Sequence, residues 1–380
     1  MSSNRRRAGK AVLTVTALLV LGLPLTAQEG SNPVQRLQQR LEKGEVRLTY
    51  SEDGHGYLKS LLEALDIPAE SQVLPFTRSS FLANLISPKQ PRAIYFTDDV
   101  AVAVAQGGSV VELIANDRSE GPVFYTFATY RRANPRPAQE ISRCTFCHNR
   151  TDPEASTWIV ANIPAAESGQ PLQRRGGSDP SFDFTDHTTP FENRWGGWYV
   201  TGTIPAMRHR GNVTGGGAEG VALTDLSSRF DLSQVLQPGS DIVALMTLEH
   251  QTGFANRAAA LNARYSEDGA AALAAYLTFA GEVALPGPIQ GNSPFSTRFA
   301  AQGPRDPAGR TLRSFDLKTR LFRYPLSYMI YSNAFAGLTP EAKTLVWRRL
   351  HETLRRTAEG REAIAIVAAT KPDAPPYWRQ

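Results

Sequence analysis

The apolar positions of this chain change period twice. Near the start, Val34, Leu37 and Leu41 recur at helical spacing between Ser31-Asn32-Pro33 and Gly44, which predicts a short helix with start and stop signals in place. Val46, Leu48 and Tyr50 alternate and predict a strand. Leu58, Leu61, Leu62 and Leu65 then restore the helical spacing over 57–65, ahead of Pro68. From Arg92 the period drops to two. AIYF (93–96), VAVAVAQGGSVVELIA (100–115) and GPVFYTFATY (121–130) read as strands, with Gly107-Gly108 turning the middle pair. TWIVANIP (157–164) and WGGWYVTGTI (195–204) are strand-like again, separated by polar turns rich in Gly, Asp and Pro. Beyond them the helical spacing returns. Ser240 is the predicted cap of a helix running from Asp241 towards Tyr265, and 271–279 forms another. Thr339-Pro340-Glu341 opens a helix striped by Ala342, Leu345, Val346 and Leu350, and a last helix ends before Pro372. The stretch 285–313, with several Gly and Pro, predicts loop. The fold class is α+β, with a mainly helical portion at 28–90, a β-rich region at 91–213 and a mainly helical portion at 214–380.

Residues 1–27 fit neither period. Arg5, Arg6, Arg7 and Lys10 precede an unbroken apolar run over 11–25, and the small Ala27 follows, which is the three-part layout of a secretory signal peptide. Crossing a bilayer takes roughly 20 apolar residues, more than this run supplies, so cleavage before Gln28 is expected rather than a retained anchor. The expected location is the periplasm or cell envelope. No later run is long enough to span a membrane. A hydrophobic fraction of 41% with 20% charged residues is that of an ordinary globular chain. The net charge of +5 falls to +1 without the leader, which holds four basic residues and no acids. No basic surface for nucleic acid is implied.

Export sharpens the meaning of the cysteines. The chain has only two, Cys144 and Cys147, and His148 follows directly in RCTFCHNR. A disulfide suits an oxidising compartment, but a thioredoxin-like pair is expected at a strand-to-helix junction and has no use for His148. A structural zinc site needs four ligands, and this motif supplies at most three. Covalent attachment of one haem c uses all three residues, with thioethers on Cys144 and Cys147 and His148 as the proximal iron ligand. The stretch between His148 and Met207 includes SDPSFDFTDHTTPFENRWGGWYV, which is not helical, so the small all-helical cytochrome c fold is not expected.

What fills the sixth iron position decides the chemistry. A Met or second His closes the site for electron transfer, whereas an open site admits gas or peroxide chemistry. His209, flanked by Arg208 and Arg210, is the first candidate. His250, sharing a helix face with Met246 and Phe254, is the second, and Met207 the third. His55, His187, Met246, Met329 and His351 complete the inventory. Trp195, Trp198 and Tyr199 are candidates to pack against a porphyrin. The sequence favours an electron carrier with a redox partner in the envelope, and the alternative is a haem c enzyme or a gas or redox sensor with an open sixth position.

The chain resembles a group of uncharacterised bacterial envelope proteins described as cytochrome c domain-containing. The resemblance is carried by ISPKQPRAIYFTDDVAVAVAQGG, GPVFYTF, CTFCH, DHTTPFENRWGGWYVTGT, RHRGN, LEHQT and KTRLFRYPLSYMIYSNAF, and it spans nearly all of the chain after the leader. It implies a single haem c on Cys144 and Cys147 with His148 as ligand, and it brings no known reaction. The pattern carries histidines where this chain has Ile204 and Ala255, which leaves His209 and His250 as the shared ones. The order of motif and strands is also loosely similar to haem-binding PAS-type sensor domains, an analogy of fold only.

Overall fold

The computed structural model describes residues 30–149, 156–172, 183–204, 207–217 and 219–380; the expected leader at 1–27 lies outside the described residues. Asn32 begins the first helix, α1 (Pro33–Glu42). Its side chain accepts from the backbone N–H groups of Val34 and Gln35, both at 3.0 Å, and Pro33 occupies the first turn, where no N–H is needed. The Asn32 amide also donates to Asp117 (2.8 Å) and Tyr125 (3.0 Å), so the cap of α1 fastens it to the central sheet. A second helix, α2 (Leu58–Ala64), follows.

The predicted strand at 46–50 does not form. Its side chains rest against the N-terminal core, but the Thr49 N–H and carbonyl are satisfied by the Ser60 hydroxyl, at 3.0 and 2.8 Å, instead of a neighbouring strand. After the short β1 (Leu74–Pro75) come five antiparallel strands joined in sequence order: β2 (Ala93–Phe96), β3 (Val100–Val104), β4 (Val110–Asp117), β5 (Gly121–Ala128) and β6 (Ala138–Gln139). Side chains alternate across this sheet. Tyr95, Val100, Val102, Leu113 and Tyr125 point into a core shared with α1 and α2. Ile94, Phe96, Ala101 and Ala103 point the other way, into a second core that extends to the C-terminus.

Helix α3 (Ser142–His148) leaves β6 and carries the motif. The strand-like stretches at 157–164 and 195–204 are extended but form strands of only two residues each, with isolated bridges at Thr201 and Thr203 besides. β7 (Ala161–Asn162) pairs with β8 (Asp183–Phe184), and β9 (Trp198–Tyr199) pairs with β1.

The remainder is helical, as the stripe pattern predicts. The 22-residue α4 (Ile242–Ala263) is buried on every side over 242–255 and forms the spine of the second core. Its cap is Asp241, whose carboxylate accepts from Val243 N–H (2.8 Å) and Ala244 N–H (3.2 Å). Ser240 instead accepts the N–H of Leu74. Around α4 pack α5 (Glu267–Leu277), α6 (Phe295–Ala301), the short α7 (Asn333–Ala336), α8 (Pro340–Leu354) and α9 (Ala358–Thr370). Helix α6 interrupts the predicted loop at 285–313, seating Phe295 and Phe299, one turn apart, in the core. The chain is therefore α+β, with helices at both ends of a five-stranded antiparallel sheet. Among the described residues no helix is long and apolar enough to cross a membrane.

Candidate functional site

The sheet face that turns away from α1 and α2 is not fully covered. Between it and α4 lies a cavity of about 470 Å³, within the range of small-molecule and cofactor sites. One wall is the sheet, with Ile94, Ala101, Ala103, Ile114 and Phe124. The two alanines of β3 make the room, because on its other face the same strand places valines. A second wall is α4, through Leu248 and Thr252. Trp158, Val160, Ile163 and Trp198 come from the extended stretches. Cys144, Cys147 and His148 line it from α3.

Helical geometry explains the motif spacing. Positions i, i+3 and i+4 fall on one helix face, so both sulfurs and the imidazole address the same space. One neighbour holds His148 at three points. Thr157 donates to the His148 carbonyl from its N–H (3.0 Å) and its hydroxyl (2.8 Å), and the Thr157 carbonyl meets His148 Nδ1 at 2.5 Å. A carbonyl can only accept, so Nδ1 carries the proton and Nε2 keeps its lone pair. Burial lowers the His148 pKa to about 4, which keeps the ring neutral near pH 7. Phe124 packs on the imidazole, centroids 4.5 Å apart.

Thr157 is positioned in turn by its neighbour. The Asn256 side chain of α4 accepts the Trp158 N–H (2.7 Å) and donates to the Trp158 carbonyl (2.9 Å), while the Trp158 indole donates to Asn116 (2.8 Å). Asn256→Ala should leave two backbone groups without partners and cost about 1–3 kcal/mol. Urea denaturation measures this, and a loss below about 0.5 kcal/mol, the scale of a neutral surface change, would show that Asn256 does not hold this segment.

Both thiols are free, without a disulfide. Burial pushes the Cys144 thiol up to about 12, with Glu112 and Glu140 adding to the effect. A dithiol redox site works the other way, by lowering a thiol pKa. The motif does lie on a helix just after a short strand, so position alone does not separate it from a thioredoxin-like site; the thiol environment does. Among the described residues no three His, Cys, Asp or Glu side chains gather as a metal-ion cluster.

Several polar groups on the cavity wall are tethered. Arg92 pairs with Glu112 at 3.2 Å, and Ser80 donates to both Glu112 oxygens at 2.9 Å. Arg78 donates from Nε to the Ile86 carbonyl (2.9 Å). Arg143 stands over the Phe81 ring at 5.9 Å. Arg92 Nε is buried with no hydrogen-bond partner.

Trp198 lines the cavity, but Trp195 and Tyr199 do not. Trp198 is delivered there by Gly197, at φ +82°. A Cβ on Gly197 would fall 1.7 Å from the Thr77 hydroxyl, so only glycine passes this crossing. His209, His250 and Met207, the three candidates for the sixth iron position, are all buried and lie outside the cavity wall. His250 has both ring nitrogens engaged, Nδ1 with His187 Nδ1 (2.9 Å) and Nε2 with the Ser327 hydroxyl (2.7 Å). His209 accepts the Gly211 N–H at Nδ1 (3.0 Å) and stands edge-on to Trp195.

Sequence reasoning missed Thr157, Asn256 and Phe124. The first two bond to backbone groups of residues far away or in another element, which leaves no local sequence pattern. The alternation of valine and alanine in β3 was the available signal for a cavity on one face. Comparison with protein-family models, curated proteins and solved structures finds no match for this chain.

Proposed function

We propose that this chain is an exported monohaem c-type protein, with thioethers on Cys144 and Cys147 and His148 as the iron ligand. One observation carries the reading: Cys144, Cys147 and His148, whose Nδ1 is bonded to the Thr157 carbonyl, line the same largely apolar cavity. The residues fit the group. Haem c would supply a one-electron redox centre, and this chain's residues would do the rest. Thr157 and Phe124 hold the imidazole in one tautomer and orientation, the role a proximal ligand's second neighbour plays in metal sites generally. The apolar walls are suited to an apolar macrocycle, and the guanidinium groups of Arg78, Arg92 and Arg143 are suited to carboxylates. The resemblance to envelope proteins with a cytochrome c domain supports the same reading, as does the secretory layout of 1–27.

The test is chemical. Protein made with a c-type maturation system should keep its haem through denaturation and acid–acetone extraction and give a c-type pyridine haemochrome. Cys144→Ala/Cys147→Ala should lose it to the solvent layer. Extractable haem in the unsubstituted protein would overturn the proposal. The mature N-terminus should begin at or near Gln28, read by N-terminal sequencing.

Such a protein serves either as an electron carrier, with a closed sixth position, or as a haem c enzyme or gas or redox sensor, with an open one. The open site is favoured by one specific observation: among the described residues no second histidine and no methionine lines the cavity.

A further inference from the structure

Resting on the haem c reading, we infer that the iron position opposite His148 has no protein ligand and takes a small neutral two-atom ligand such as carbon monoxide, nitric oxide or dioxygen. The argument is an inventory. The chain contains six histidines and four methionines, and all but Met1 fall among the described residues. His148 is the only one of them on the cavity wall. His187 and His250 bond to each other, and the second nitrogen of His250 is taken by Ser327. His209 is fully buried beside Trp195. His351 packs against Tyr377 and Trp378 at the C-terminus, and His55 occupies a turn whose N–H bonds to Asp53. Met207, Met246 and Met329 are core residues of the C-terminal cluster. No lysine or tyrosine lines the cavity either.

Part of the wall suits such a ligand. Ile94, Ala101, Ala103, Ile114 and Leu248 offer no hydrogen-bond donors. The carboxylate on this sheet face, Glu112, is already committed to Arg92 and Ser80. A neutral diatomic loses little hydration on entering this apolar part of the cavity.

The experiment uses the intact holoprotein. Ferric protein should give a high-spin electron paramagnetic resonance signal. Dithionite-reduced protein should show a marked Soret shift on adding carbon monoxide. Met207→Ala, His209→Ala and His250→Ala should each keep the parent spin state in whatever fraction folds. Low-spin iron in both oxidation states with no response to carbon monoxide would overturn the inference, even without any variant. Loss of low-spin character in any one of the three variants would overturn it too and would name the ligand. Absence of covalent haem is a different result, since it removes the haem c reading itself.

Discussion

Arg194→Leu should lower the free energy of unfolding by about 3–5 kcal/mol at pH 7. Arg194 and Glu249 are 1% and 0% exposed at the side chain and pair at 3.3 Å. The guanidinium also donates to the Thr189 carbonyl (2.7 Å) and the His187 carbonyl (3.1 Å) and stands over the Phe191 ring. It therefore ties the 187–194 turn to α4. Taking it away leaves the Glu249 carboxyl unpaired in the spine of the C-terminal core. Burial already raises Glu249 to about 7, with Arg194 the largest opposing influence. Without Arg194 the carboxyl goes higher still, so the folded variant keeps its proton and the defect shrinks as the pH is lowered towards 5. Adding Glu249→Leu to Arg194→Leu should recover part of the loss, because an apolar group then replaces an unpaired buried carboxyl. Urea denaturation of the single and double variants at pH 7 and pH 5 measures all of this. A double variant no more stable than Arg194→Leu would refute the account.

His209→Gln should narrow its stability gap to the parent protein by about 3 kcal/mol as the pH falls from 6.5 to 4. His209 is fully buried, and burial lowers its pKa from 6.5 to about 4. Its folded pKa lies below its unfolded value, so the unfolded chain takes up a proton over this window that the folded chain refuses. Parent stability due to this residue is present above pH 6.5 and lost on acidification. The variant starts lower, through lost packing on Trp195, but lacks this loss. His187 and His250 are lowered by burial in the same sense, and their mutual contact lowers His250 further. Two buried carboxyls act against them. Glu249 and Asp99, both raised to about 7, hold protons in the folded state that the unfolded chain releases, so their contribution declines as the pH rises towards 7. The parent curve should thus slope more gently than three histidines alone would give. Chemical denaturation at half-unit pH steps tests the difference, and a gap that stays constant would mean that His209 titrates normally.

Legibility in the sequence follows how local each determinant is. Helix α8 was readable because Thr339, Pro340 and the apolar stripe all lie within one short window. The sheet strands were readable from their period of two and the Gly107-Gly108 turn. The alternation at 46–50 misled because a strand needs a neighbour, and the neighbour is not local. Helix α6 escaped because it is under two turns long, begins after Pro294 with no side-chain cap and lies among glycines and prolines. The start of α4 was displaced by one residue because Ser240 and Asp241 are both capable caps, and the β-ladder side of the site occupies the serine. In the cavity wall, the cysteines and His148 were legible from spacing alone. The neighbours that set the imidazole were not, since Thr157 reaches it through a backbone carbonyl that every residue possesses, and Asn256, 98 residues from Trp158 along the chain, acts on the backbone of that distant residue. The sixth-ligand candidates were chosen from chain position. Which histidines face the cavity is decided by packing between distant segments.

Strand β3 divides its labour by parity. Val100 and Val102 are buried against the N-terminal helices, and Ala101 and Ala103 border the cavity. A slip of one residue in its pairing with β4 would exchange the two faces. The valines would then fill the cavity, and the alanines would leave voids under α1 and α2. The space beside the motif is therefore created by strand register, at the same moment as the sheet. Yet once the register is set, the two faces are independent. Substitutions at 101 and 103 can widen or narrow the chamber over evolutionary time without touching the packing that holds the N-terminal helices in place.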